Sequence, residues 1–283
     1  MNRFYRTCEK IAALLFEKAL FLILFCMGWK KRTIRANTEY VQICGISDKK
    51  TFYRQLIKNL SHHVSDIVFK FGSFKKLPHK TIQYPFQMDG THYQIAPGSE
   101  TVLNKMRKGG IFLTAHYGNY EAMGPWLCRL GIPLKASYIP LKPKWLNRIV
   151  ENKIRAIDGK TYSIHARTPR EFLQLLKDKN LFCLLMDQDS RIPSAADGNF
   201  LGKPAKVNPL PEFLLRHEPE TPVYICWMEE SPQSKILHAE EIRSKKLNDA
   251  FNQWLETRIQ ENPALWYGWT HRRFYSTAKE IYL

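Results

Sequence analysis

Three short, mostly apolar runs constrain this chain more than any other feature: Ile111–Ala115, Leu181–Met186 and Pro222–Met228. Runs of this length and density are the mark of strands buried inside a sheet. Helical patterns fill the intervals. Ser99–Lys108 reads as a helix stopped by Gly109-Gly110, and another follows Glu121 as far as Leu130, ended by Gly131. Trp145–Ile157 and Leu247–Gln260 carry helical spacing as well. Thr168-Pro169-Arg170-Glu171 is a capping box with proline at the first helical position, so a helix begins there and runs to Lys179. Lys135–Ile139 and the weaker Ile236–Ala239 supply further strands, and residues 81–96 alternate around an Asp89-Gly90 hairpin turn. Strands alternating with helices imply an α/β fold, a mixed sheet flanked by helices.

The first of these runs ends in His116, and Glu121 follows five residues later. On one continuous helix such a pair would sit about 140° apart and could not meet. Gly118-Asn119 between them turns easily. A strand, a turn and a helix opening near Tyr120 would put His116 at the carboxyl end of the strand and Glu121 in the first helical turn, facing back. That edge is where open α/β sheets bind ligands. A carboxylate holding an imidazole in one tautomer is a general-base dyad. The competing reading is a hydrogen-bonded structural histidine at a strand end.

The chain has 283 residues, 44% apolar and 13% aromatic, which is ample for a packed core and excludes a disordered chain. Its net charge of +17 calls for an anionic partner. Nucleic acid, anionic lipid and an acidic carrier protein all fit that charge, but no zinc-finger spacing or RNA-recognition signature is present. The six cysteines are widely spaced and lack any C-x-x-C, which argues for a reducing compartment without a disulfide framework or metal site. Near the N-terminus, Ala19–Trp29 is apolar and is followed by Lys30-Lys31-Arg32, an aromatic and basic membrane boundary. At eleven residues it falls short of the roughly 20 that a span needs, so it is a marginal span or an interfacial anchor. Thr51–Phe71 carries one apolar helical face that would pack this region onto the rest. The expected organisation is a membrane-anchoring segment, 1–32, and a catalytic domain, 33–283.

Other polar clusters also fall near strand ends. Asp187 and Asp189 close the Leu181–Met186 run, where paired carboxylates could bind a metal, hydrogen-bond a sugar or anchor an arginine. Segment 198–208 combines turn residues with Lys203 and Lys206 in a basic loop suited to phosphate or a carrier. His271-Arg272-Arg273 could contact phosphate, contact a carrier protein or simply be a cationic surface. No G-x-S-x-G elbow occurs, so direct attack without a covalent serine intermediate is the simpler mechanism.

His116-Tyr-Gly-Asn-Tyr-Glu121 resembles the His-x4-Asp/Glu signature of glycerolipid-type acyltransferases. With Asp187-Gln188-Asp189, Phe200-Leu-Gly202-Lys-Pro204-Ala205 and Trp269-Thr-His271-Arg272-Arg273-Phe274, it resembles most the lipid A late acyltransferases, the lauroyl and myristoyl transferases. After Pro-Ala the family commonly has threonines, where this chain has Lys206-Val207-Asn208. The resemblance implies a glycerolipid-acyltransferase-like fold, no cofactor and no metal. It further implies acyl carrier protein as donor and a phosphorylated, Kdo-bearing glucosamine lipid as acceptor, at the cytoplasmic face of a bacterial inner membrane. It makes His116 and Glu121 the catalytic pair, and gives substrate-binding roles to Asp187, Asp189, Lys203, Arg272 and Arg273. Arg155, with Arg148 as competitor, falls where the family has an important arginine, and could grip a phosphate bidentately. A lysophospholipid or another glycolipid is the alternative acceptor, and a basic, non-catalytic membrane or nucleic-acid-binding protein is the alternative class.

Overall fold

The structure is a computed structural model; it describes residues 3–43, 46, 48–70, 84–88, 90–138, 140–165, 168–231 and 233–283. Helices α1 (Arg3–Cys26), α2 (Lys31–Val41) and α3 (Lys49–Ser65) come first, and a π-helical turn, Asp66–Lys70, continues α3. A hairpin follows, β1 (Phe86–Met88) and β2 (Thr91–Ile95), then α4 (Ser99–Met106), β3 (Gly110–Thr114), α5 (Tyr120–Arg129) and β4 (Leu134–Ser137). Next come α6 (Lys144–Ile149), the short strands β5 (Ala156–Ile157), β6 (Lys160–Thr161) and β7 (Ser163–Ile164), α7 (Pro169–Lys177) and β8 (Leu181–Leu185). The hairpin β9 (Ala196–Phe200) and β10 (Lys203–Val207), α8 (Leu210–His217), β11 (Val223–Ser231), β12 (Ser234–Ile242) and α9 (Leu247–Glu261) follow, and then three 3₁₀ turns, Pro263–Leu265, Tyr267–Thr270 and Lys279–Tyr282.

Among the described residues, eight strands form one sheet in the order β1-β2-β12-β11-β3-β8-β4-β7. Strands β11, β3, β8, β4 and β7 pair in parallel, β12 runs antiparallel to β11 and β1 to β2, so the sheet is mixed. The three apolar runs are adjacent in its centre. Ile111, Leu113, Leu181, Phe182, Tyr224 and Cys226 are each 2% exposed or less, because helices cover both faces. One cluster packs β3, β8 and β11 against α3, α7, α9 and the C-terminal tryptophans; the other packs the opposite face against α4 and α5.

Several boundaries follow their local chemistry. Thr168 Oγ1 caps Glu171 N, and Glu171 Oε2 accepts from Thr168 N, completing the capping box of α7. Met88 pairs with Thr91 across the hairpin turn, of which Asp89 lies outside the described residues, as do Cys44, Phe71 and Ile139. Three segments differ from the sequence reading. The helix expected over 145–157 gives way after Ile149 to a π turn, Val150–Ile154, and then to β5. Segment 198–208 is chiefly a hairpin, β9 and β10, rather than a loop. The weak strand at 236–239 is nine residues long, because it pairs fully with β11 from Val223↔Ile242 to Ser231↔Ser234.

Among the described residues no single helix is long and apolar enough to cross a membrane; α1 and α2 meet that requirement only as a pair bent by 73°. One side of α1 packs inward. Ala13 is buried, the Phe25 ring lies tilted against Tyr53 at 5.6 Å between centroids, and Glu17 Oε2 is 2.9 Å from His62 Nδ1. The other side leaves Ile11, Leu14, Leu15, Leu22 and Ile23 at least half exposed, and Met27, just past its end, is exposed too.

Candidate active site

The sheet register builds the centre of the site. β3 and β8 pair from Gly110↔Leu181 to Thr114↔Leu185, and two residues beyond that last pair the same offset sets His116 opposite Asp187. His116 Nδ1 lies 2.8 Å from Asp187 Oδ1, and the His116 backbone N–H donates to Oδ2 at 3.2 Å. The Trp266 indole N–H donates to Oδ2 at 2.8 Å. The sequence points to Glu121 as the group that orients His116; the structure puts Asp187 there instead. Glu121 starts α5 and turns to Arg155, which donates Nε–H to Oε2 at 3.1 Å and Nη2–H to Oε1. The expected phosphate grip of Arg155 is therefore taken up by a half-buried carboxylate, with the guanidinium 4.9 Å above the Tyr138 ring.

Buried at 1% exposure, Asp187 would be pushed toward the neutral acid; the charge and hydrogen bond of His116, with that of Trp266, outweigh burial and hold it below the usual carboxylate range. For His116, burial likewise opposes the charged ring. The charge and hydrogen bond of Asp187, aided by the charge of Glu121, overcome it and raise the pKa above its ordinary value. An ionised Asp187 fixes the proton of the neutral ring on Nδ1, leaving Nε2 as the basic nitrogen. The Gln188 amide nitrogen is 3.5 Å from Nε2, and the ring lies against Tyr120 at 4.9 Å and His271 at 5.7 Å between centroids.

The turn after His116 is pinned from two sides. Gly118 supplies a φ of +57°, which a side chain would strain, and its N–H donates to Leu265 O at 3.0 Å. Tyr267 N–H donates to His116 O at 2.8 Å, so the C-terminal segment bridges onto the histidine loop. That segment needs glycine at 268, because a Cβ there would lie 2.1 Å from the Trp266 ring. From below, Asn119 Nδ2 donates to Asp66 Oδ2 and Glu230 Oε1, both at 3.0 Å. His62, Asp66 and Glu230 offer ligand atoms within 4.8 Å of one another, a spacing that could hold a metal ion. Lys235 already sits among them, with Nζ 2.9 Å from Asp66 Oδ2 and paired with Glu230, so its ammonium meets that negative charge.

The remaining sequence candidates separate. Asp189 accepts from Ser276 Oγ at 2.8 Å and from Arg191 Nε at 3.1 Å, an arginine anchor. The Lys203 ammonium lies over the Tyr40 ring at 5.1 Å, on the α2 side of the β9–β10 hairpin. Arg272 is exposed beside Tyr275 and Tyr282. Arg273 is not part of a cationic surface: it is fully buried, donates Nη1–H to Lys206 O at 3.0 Å and lies 5.0 Å above the Phe200 ring. Burial pulls its pKa down, countered by the charges of Asp187 and Asp189. Trp266, Gln188 and Tyr120 were missed as neighbours of the site. The density of aromatic residues in Leu265–Trp269 is the signal that could have found the first.

A sheet edge that carries an imidazole oriented by a buried carboxylate has the parts that general-base activation of a nucleophile needs. The bacterial lipid A biosynthesis acyltransferase family matches residues 16–276, nearly the whole chain, and the chain belongs to that family. It is an acyltransferase of lipid A biosynthesis. No individual curated protein matches it.

Proposed function

We propose that the protein moves a fatty acyl group from acyl carrier protein onto a hydroxyl of a phosphorylated, Kdo-bearing lipid A precursor, with His116 as general base. The observation that carries this reading is the engagement of His116 Nδ1 by Asp187, which leaves Nε2 to take a proton. The acceptor oxygen attacks the thioester carbonyl carbon as its proton passes to Nε2. The tetrahedral oxyanion then collapses, the carbon–sulfur bond breaks, and the departing thiolate takes the proton back from the imidazolium. Asp187 positions the ring and stabilises its charged form. Glu121, locked to Arg155, adds a second negative charge felt by the same imidazole.

The apolar outer face of α1, together with its basic flank Lys30-Lys31-Arg32, supports a place on the cytoplasmic face of the inner membrane, with α1 in the interface. Transfer of labelled acyl chains from acyl carrier protein, offered Kdo-bearing lipid A precursor and lysophospholipid in parallel, tests the reading. Acylation of the first alone supports it. Acylation of lysophospholipid alone, or of neither, contradicts it.

A further inference from the structure

Beside the His116–Asp187 centre lies a cavity of about 370 Å³, lined by Ser190, Arg191, Ile192, Lys206, Tyr275 and Ser276 among others. That size is within the roughly 300–1,000 Å³ of small-molecule pockets. Its wall begins two residues after Gln188, whose amide reaches His116 Nε2, so no more than about 7 Å of chain separates the two. The cavity does not include His116 itself.

Two cations line it, Arg191 and Lys206, and two more, Arg272 and Lys279, lie outside its lining but beside the Tyr275 ring that forms part of its wall. Arg191 lies 4.5 Å from the centre of the Tyr275 ring, and Arg272 and Lys279 each lie 5.6 Å from it. Lys206 also lines the cavity. Two of these four cations meet carboxylates, Arg191 with Asp189 at 3.1 Å and Lys206 with the exposed Asp197 at 2.8 Å. Among the described residues no carboxylate lies within ion-pair distance of Arg272 or Lys279. Holding cations together without counter-charge is unfavourable, and a bound anion relieves it. The arginine fork suits a planar carboxylate or a phosphate, and the hydroxyls of Ser190 and Ser276 add neutral donors.

We propose that this cavity binds an anionic group, carboxylate or phosphate, carried by the acceptor lipid away from its reacting hydroxyl. The proposal rests on the acyltransferase reading above. The cavity would fix the acceptor at a distance and so set which hydroxyl arrives at His116 Nε2. An acidic surface of the carrier protein is the rival occupant, but a pocket of about 370 Å³ that begins one residue beyond Asp189 fits a small group better than a broad protein face.

The test compares the wild type with Arg191→Gln, Arg272→Gln, Lys279→Gln and the triple variant, each on three acceptors: one with both anionic groups, one without the phosphate, one without the carboxylate. The triple variant should raise the KM for the full acceptor at least tenfold, the loss of one or more charge-assisted hydrogen bonds, with kcat within about twofold. Removing the recognised group from the acceptor should reproduce that rise in the wild type and make the variants silent, which tells phosphate from carboxylate. Arg191→Lys and Arg272→Lys keep the charge but not the fork, so each should lose less affinity than its glutamine counterpart without matching the wild type. An unchanged KM for all three acceptors, or a rise confined to the carrier protein, overturns the proposal. Should the wild type acylate none of them, the acyl-acceptor reading fails instead. Line broadening of the phosphorus signal of glucosamine phosphate and of the ring protons of a soluble sugar acid then decides the cavity separately: broadening of either that the triple variant loses supports it, and no difference overturns it.

Discussion

Replacing Asp187 by asparagine changes one atom type at the centre of the site and should be severe. The carboxylate is 1% exposed and accepts three hydrogen bonds, two from His116 and one from Trp266. An amide of the same shape has one acceptor oxygen, so it cannot satisfy Nδ1–H on one side and the indole on the other. One solution turns the amide N–H toward Nδ1 and drives the ring proton to Nε2, the nitrogen that must be basic. Loss of the general base costs roughly 10²–10⁴-fold, and an unpaired buried donor costs about 1–3 kcal/mol of stability. The pH profile separates this from a mere folding defect. His116 acts as base only when neutral, so its raised pKa places the acid limb of kcat/KM above the ordinary value near 6.5. Asparagine removes the charge and hydrogen bond that raise it and keeps the burial that lowers it, so the limb should move to lower pH. Steady-state acyl transfer between about pH 5 and 9, with thermal melts alongside, measures both. Activity within about threefold of wild type and an unmoved limb would refute the assignment of Asp187.

Other consequences are quicker to state. Glu121→Ala should destabilise the fold by up to about 3–5 kcal/mol, because it strands the largely buried Arg155; Glu121→Ala with Arg155→Ala should melt higher than the single variant. Leu15→Glu with Leu22→Glu on the outer face of α1 should release the protein from anionic vesicles, read by co-sedimentation, with little change in melting temperature; continued binding would move the anchor elsewhere. With a net charge of +17, kcat/KM for acyl carrier protein should fall as salt rises from low values to about 0.1 M, where screening acts over roughly 10 Å; a flat profile would remove electrostatic steering.

The local signals in the sequence were enough for most of the sheet. Gly118-Asn119 turned the chain into a helix beginning at Tyr120, the capping box at Thr168 began α7, and the buried runs became adjacent central strands. The partner of His116 was not legible, because it depends on the pairing of β3 with β8, strands about seventy residues apart, whose register no local pattern encodes. Glu121 was nearer in sequence and looked the better choice, yet the π turn after Ile149 delivers Arg155 to it. Arg272 and Arg273 read alike as neighbouring cations. Only the packing of Phe200 and Phe274 shows that one faces solvent and the other carries a structural load in the core.

The central claim is that Nε2 of His116 takes the acceptor proton. Transfer of labelled acyl groups by a His116→Ala variant, shown by thermal melt to be folded and by co-sedimentation to bind vesicles, tests it most directly. The account predicts turnover lower by roughly 10²–10⁴-fold with folding and vesicle binding retained. Near-normal turnover in that folded variant would contradict it.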